Sequence, residues 1–258
     1  MALVELDVTD HIAVVTLNRP EALNAISGAM ADELRETFEK VSADDDVWVV
    51  VLRAAGERAF CVGADLKERG GFTLEDFYKN RQQIKGLFAV LRGVPQPVIA
   101  APFGFALGGG FELVLSSDIV VAAEGTKLGL PETRVGLLPA GGGTQLLTRK
   151  VGVARAKELI FRARQIDASE AQQIGIVNDI AKREDLDDWV MQVARQICGG
   201  SPVAIREAKR SIDAALGVPV DDGIEVEHES WERVITSDDR LEGIAAFNEK
   251  RDPQWKNK

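Results

Sequence analysis

Short apolar runs alternate with longer segments of helical period through the first half of the chain, and that alternation leaves few architectures open. Ile12–Leu17 is β-branched and apolar and stops at Asn18-Arg19-Pro20, so it reads as a strand. Residues 24–41 follow with Ile26, Met30, Leu34 and Phe38 every fourth position and charged residues on the other face, which predicts a helix with Ser27 as a plausible N-cap. Trp48–Leu52 is apolar throughout, as in a strand covered on both faces. Residues 73–92, opened by Thr73 with Asp76 three positions on, predict a second helix, and Val98–Ala101 and Asp118–Ala123 two more strands. Strands spaced by helices predict an α/β fold. From about residue 144 only Ile176–Ile180 looks extended, while 153–161, 184–198, 202–216, 221–235 and 238–250 look helical, with Pro202 in a first turn after Ser201. The expected division is a core over 1–195 and a helical region over 196–258. A chain of 258 residues needs no staple to fold.

Composition removes whole chemistries. A net charge of −10 disfavours a general nucleic-acid binder. Two cysteines, Cys61 and Cys198, make neither a disulfide framework nor a Cys-rich metal site, which suits a reducing compartment. No apolar run approaches the ~20 residues of a membrane-spanning helix, and Met1-Ala2-Leu3-Val4-Glu5 lacks a basic leader. A cytoplasmic protein without a membrane partner is the expectation. The two histidines, His11 in an apparent strand and His228 in a run of acids, cannot build a zinc-protease motif. GxSxG and GxxxxGK[ST] are both absent from the sequence. Carboxylates, backbone amides and shape are left to do chemistry.

Four segments have the residues for it. In Gly108-Gly109-Gly110-Phe111-Glu112 three glycines open a helix-compatible run, so unpaired N–H groups and a carboxylate can face one reacting group, or the glycines can simply pack a helix on a strand. Phe60-Cys61-Val62-Gly63-Ala64-Asp65-Leu66-Lys67-Glu68 is a small-residue turn after a strand, and alone reads as ordinary. Leu128-Gly129-Leu130-Pro131-Glu132-Thr133 places a second glutamate after a proline, which alone reads as a surface acid. Pro139-Ala140-Gly141-Gly142-Gly143-Thr144-Gln145 is a glycine-rich turn without the lysine of a nucleotide-binding loop.

Taken together, and with Asn18-Arg19-Pro20, Leu23-Asn24-Ala25, Val98-Ile99-Ala100-Ala101 and Asp239-Arg240-Leu241-Glu242-Gly243, these segments resemble the crotonase superfamily of enoyl-CoA hydratases and isomerases over nearly the whole chain. The resemblance implies a spiral of repeated ββα units with a C-terminal helical region that builds trimers or hexamers. It implies an acyl-CoA thioester as substrate, with no metal and no cofactor beyond the coenzyme A that the substrate carries. Ala64 and Gly109 would each aim a backbone N–H at the thioester oxygen, and Glu112 and Glu132 would move protons at the reacting carbons. Asp65, Leu66 and Lys67 beside Ala64, and Phe247 and Lys250 near the C-terminus, would contact substrate. Retention of both glutamates favours addition of water to a 2-enoyl-CoA, with isomerase or dehydratase activity as the alternative. Phe60-Cys61, Ala64-Asp65-Leu66-Lys67-Glu68-Arg69 and Ala156-Lys157-Glu158-Leu159-Ile160-Phe161 look most like the methylglutaconyl-CoA hydratase group. An RNA-binding or non-catalytic relative is disfavoured, because the matching helix over 24–41 is acidic. Glu21 stands where many relatives have a basic residue, so Arg19, Arg53, Arg58, Lys67, Lys250 and Arg251 are the remaining candidates for phosphate contacts.

Overall fold

The computed structural model describes residues 2–258. Strands β1 (Val4–Thr9) and β2 (Ile12–Leu17) pair antiparallel across a turn in which Asp10 and His11 take φ of 50° and 66°. His11 therefore lies in the turn and not inside a strand, and its ring stacks on Trp48 at 3.7 Å between centroids. The chain then crosses through α1 (Gly28–Ser42) to β3 (Val49–Ala54), which is parallel to β2. Helix α1 starts four residues later than its periodicity predicts. Leu23 and Asn24 are left-handed, and the buried Asn24 side chain donates to the Ala55 and Ala59 carbonyls and accepts from Arg19, which fixes a turn there. Ser27 caps α1 as its type predicts, accepting from the Met30 N–H at 3.2 Å.

After β3 come a short helix α2 (Leu66–Arg69) and the long α3 (Leu74–Gly93), the latter opened by a reciprocal Thr73–Asp76 capping box. Strand β4 (Val98–Ala100) returns to the main sheet, β5 (Phe105–Leu107) leaves it, and α4 (Gly109–Leu115) follows. The same sequence repeats with β6 (Ile119–Ala123), β7 (Lys127–Gly129), a 3₁₀ turn over Glu132–Val135, and α5 (Gly143–Val151). Then come α6 (Val153–Phe161), β8 (Ile166–Asp167), α7 (Ala168–Gln173), β9 (Asp179–Ala181) and α8 (Leu186–Cys198). Three helices close the chain: α9 (Pro202–Ala214), α10 (Val220–Ile235) and α11 (Asp238–Glu249). The main sheet has the order β1-β2-β3-β4-β6-β9, parallel from β2 onward, and a smaller sheet has the order β5-β7-β8. This is the α/β class and the ββα spiral expected from the sequence.

Two expectations for the second half shift. Ile176 and Val177 are buried in a loop, and the strand there is Asp179–Ala181 beside β6. Strand β8, two residues long and antiparallel to β7, has no periodicity to announce it. Helix α8 spans the expected 195/196 division and packs on the main sheet, and the helices beyond it begin at Pro202. Among the described residues no helix is long and apolar enough to cross a membrane.

The small sheet matters most for function. Cys61 makes an isolated parallel bridge with Ala106 of β5, and Ala106 pairs with Leu128 of β7. Three consecutive turns of the spiral thus lay three parallel rungs side by side in one register. Cys61, Ala106 and Leu128 are all fully buried, so this register is fixed by the core. Each rung ends in a turn, and the three turns carry Ala64, Gly109 and Glu132.

Candidate active site

The rung ends open into one cavity of about 210 Å³, lined on one side by Ala64, Gly109, Glu112 and Glu132. Parallel strands characteristically place ligand sites at their carboxyl ends. Leu66 also lines this cavity, and its apolar wall includes Ile26, Ile84, Phe88, Leu137 and Leu138.

Two backbone N–H groups are free there. Ile26 bridges Ala64, donating to the Gly63 carbonyl at 2.7 Å and accepting from the Asp65 N–H at 3.0 Å. A parallel bridge of this kind uses the groups flanking Ala64 and turns its own N–H to the opposite side, toward the cavity. Gly109 is the first residue of α4, where a helix leaves its N–H groups without carbonyl partners. Among the described residues neither N–H has a protein acceptor. The two lie close: a Cβ on Gly109 would sit 3.8 Å from the Ala64 nitrogen. Gly63 is what permits this approach, since a Cβ there would fall 3.0 Å from the Gly109 nitrogen, and its φ of 92° suits glycine.

The two carboxyls are held differently. Glu112, one turn into α4, is buried, and its Oε1 accepts from the Gly141 N–H at 2.7 Å and the Gly143 N–H at 2.8 Å. Burial pushes its pKa up, while the Gly143 and Gly141 amides, Arg81 and the Gly142 amide oppose the rise; the net position is above the ordinary carboxylate range. Glu132 opens the 3₁₀ turn, and its Oε2 is buried with no hydrogen-bond partner. Burial pushes its pKa up to about 7, its own backbone N–H opposes, and the charge of Glu112 adds to the rise. Its Oε1 reaches the backbone of Gly108, where a Cβ would come within 3.2 Å. One cavity therefore holds two amide donors, a carboxylate gripped by backbone N–H groups, and a carboxyl that keeps its proton to near neutral pH.

The glycine-rich turn 139–143 carries a role its sequence does not show, because its partner lies on another element. Gly141 and Gly143 must be glycine: a Cβ on either would lie 2.7 Å and 2.9 Å, respectively, from the Glu112 carboxylate oxygens. The signal available was a glycine-rich turn ahead of a helix; what it grips was not.

The other expected contacts fall elsewhere. Asp65 is buried as the N-cap of α2, accepting from the Lys67 and Glu68 N–H groups and pairing with Arg19 at 2.6 Å. Burial pushes its pKa up, but Arg19 and the two amides outweigh this and hold it below the ordinary value. Lys67 is exposed and does not line the cavity. Phe247, 85% exposed, and Lys250, the left-handed residue ending α11, do not meet the cavity of their own chain. Of the further cations, Arg19 pairs with Asp65, Arg53 with Asp187, and Arg251 with Glu242 and Glu249, while Arg58 is exposed.

Comparison with known proteins gives a consistent result. The family model for enoyl-CoA hydratase/isomerase matches residues 7–258. The human mitochondrial enoyl-CoA hydratase domain-containing protein 2 is 41% identical over 251 residues, covering 96% of this chain and 86% of that protein. The mouse mitochondrial methylglutaconyl-CoA hydratase is 37% identical over 249 residues, covering 95% of this chain and 79% of that protein. The crystal structure of an enoyl-CoA hydratase from Bacillus anthracis superposes with a TM-score of 0.97 at 40% identity, covering 100% of both chains.

Proposed function

The chain belongs to the enoyl-CoA hydratase/isomerase family, and from that premise we propose that it adds water across the 2,3-double bond of a 2-enoyl-CoA thioester to give a 3-hydroxyacyl-CoA. The observation that carries this reading is the pair of unlike carboxyls, Glu112 and Glu132, in one cavity with the free N–H groups of Ala64 and Gly109.

A conjugated thioester is a poor electrophile at Cβ until its carbonyl oxygen takes up negative charge. Two preorganised N–H donors stabilise that charge, and one such donor is worth about 2.7–4 kcal/mol. Glu112, held by the Gly141 and Gly143 amides, orients a water and accepts its proton as the oxygen bonds to Cβ. The electron pair of the double bond moves to the thioester oxygen, giving an enolate between Ala64 and Gly109. Glu132, protonated near neutral pH, gives its proton to Cα as the carbonyl re-forms. Water has then been added, one proton has moved from Glu132 to the product and one from water to Glu112, and exchange between the pair closes the cycle. The route needs no resident metal or redox cofactor, and coenzyme A arrives with the substrate. The apolar wall at Ile26, Ile84, Phe88, Leu137 and Leu138 takes the acyl group.

The test is direct. Hydration of crotonyl-CoA removes the absorbance of the conjugated thioester, and the purified protein is expected to do so without added metal. A protein that moves a double bond between the 3,4 and 2,3 positions but never adds water would overturn the reading.

A further inference from the structure

Arg92 stands in the last turn of α3, away from the cavity just described, and its Nη1 donates to the Gly141 carbonyl at 3.0 Å. The N–H of the same Gly141 donates to Glu112 Oε1 at 2.7 Å. Arg92 also packs on the next residue, since a Cβ on Gly142 would lie 3.4 Å from its Nη1. We infer that Arg92 is a positioning residue for Glu112: its guanidinium grips the Gly141 carbonyl and so holds the turn whose amides grip the catalytic carboxylate. The inference rests on the reading of Glu112 as the group that accepts the proton of water.

Three observations support it. Among the described residues Arg92 makes no ion pair, so its charge is not spent on a neighbouring carboxylate. The Gly141 carbonyl and the Gly142 N–H belong to one peptide unit, so a cation on the oxygen polarises an N–H that also favours the Glu112 anion. The turn itself has three consecutive glycines, whose backbone can take many conformations, so the bond to the Gly141 carbonyl helps fix where its amides point. Glu112 faces Glu132 and Arg81, and Arg69 and Arg134 line the same cavity. Arg92 borders a second cavity of about 680 Å³ with Arg149, Lys150, Lys209, Asp118 and Asp213, in which Lys209 and Asp118 pair at 2.7 Å.

The test follows the ionisation of Glu112 directly. Infrared pH-difference spectroscopy reads the carboxyl band that Glu112→Gln removes, and kcat/KM is recorded over the same pH range. In Arg92→Gln the Glu112 band is expected to titrate about half a pH unit or more higher, and the acid limb of kcat/KM to move with it. KM for crotonyl-CoA stays near wild type. Arg92→Lys keeps a cation at the Gly141 carbonyl and restores most of the wild-type titration. Arg149→Gln removes an equal charge from the same second cavity, where Arg149 bonds Gln145 in α5 and none of the three glycines, and moves neither readout. An unmoved band and limb in Arg92→Gln overturn the inference, even if activity falls, because lost stability alone does not shift a titration. Equal shifts in Arg92→Gln and Arg149→Gln overturn it too, since the effect would then be the general field. Failure of the wild-type protein to hydrate crotonyl-CoA would sink the proposed reaction, while the infrared titration would still decide the role of Arg92.

Discussion

Two glutamates of the same type serve two purposes here because their surroundings differ by a few backbone amides. Glu112 receives two N–H donors on one oxygen, whereas Glu132 has a buried oxygen with none. Replacing either by glutamine keeps shape and an acceptor oxygen but removes proton transfer. Glu112→Gln and Glu132→Gln are each expected to lower kcat for crotonyl-CoA by about 10²–10⁴-fold, with unchanged circular dichroism; near wild-type turnover in either would remove that residue from the mechanism. Glu132 also makes a stability prediction. Its pKa is raised from 4.5 to about 7 on folding, so in that window the folded state holds a proton that the unfolded chain releases. Stability contributed by this group is present below pH 4.5, falls as pH rises, and is lost above about 7. Glutamine cannot ionise, so Glu132→Gln should gain in melting temperature over wild type at pH 8 and much less at pH 4. A gain that is equal at both pH values would show that burial of the charge is not what sets the difference.

At the scale of elements, the site is a consequence of register. Cys61, Ala106 and Leu128 align across three rungs, so the turns that follow them must arrive together although α3, β4, α4 and β6 lie between them in the chain. Adjacent glycines in one of these turns have opposite tolerances. On Gly109 a methyl group would meet Ile26 Cδ1 at 3.4 Å and Gly63 Cα at 3.5 Å, ordinary contacts, and would stand over the paired N–H groups. Gly109→Ala should therefore fold with wild-type or slightly higher stability, as alanine favours a helix, and yet lose turnover. On Gly110 the same methyl would overlap the Cys61 carbonyl, so Gly110→Ala should break the rung pairing and melt at lower temperature. Thermal melts of both variants beside the hydration assay check this, and a Gly109→Ala protein with full activity would contradict the placement of the donors. Much of this scale was legible in the sequence. Helices α1, α3, α6, α8, α9, α10 and α11 lie within a few residues of where the sequence predicts them. Strands β5, β7 and β8 are two or three residues long, too short for any alternation to show, and they form the sheet that aligns the site. Gly109 and Glu112 were marked by a glycine run and an acid within one turn, whereas Glu132 and Ala64 read as ordinary by themselves and took their roles from the family resemblance; the grip of Gly141 and Gly143 on Glu112 did not show, because it joins residues from separate turns of the spiral.

The whole molecule has one part that a single chain leaves unfinished. Helices α9, α10 and α11 follow the core, and within one chain they bury little: Pro202 is the one buried residue of α9, Ser230 that of α10, and Asp239 and Ala246 those of α11. Their large apolar residues point outward instead, with Val220, Trp231, Leu241, Ile244 and Phe247 all more than half exposed. On α10 Val220, Ile224 and Trp231 recur at helical spacing on one face, which is the pattern of a stripe built to be covered. Monomeric proteins seldom leave such a surface to water. A second copy of the chain is the expected cover, and it would account for both the stripe and the position of Phe247 and Lys250, which do not line the cavity of their own chain. Closed rotational symmetry then favours a ring of identical contacts over an open chain. The protein is accordingly expected to run as a trimer, or a pair of trimers, in light scattering at micromolar concentration. Trp231→Glu and Ile244→Glu place a charge on the stripe and should each shift the particle toward a single chain, while the circular dichroism of the core stays in place. A wild-type particle of single-chain mass at that concentration would mean that these helices tolerate their exposed faces alone.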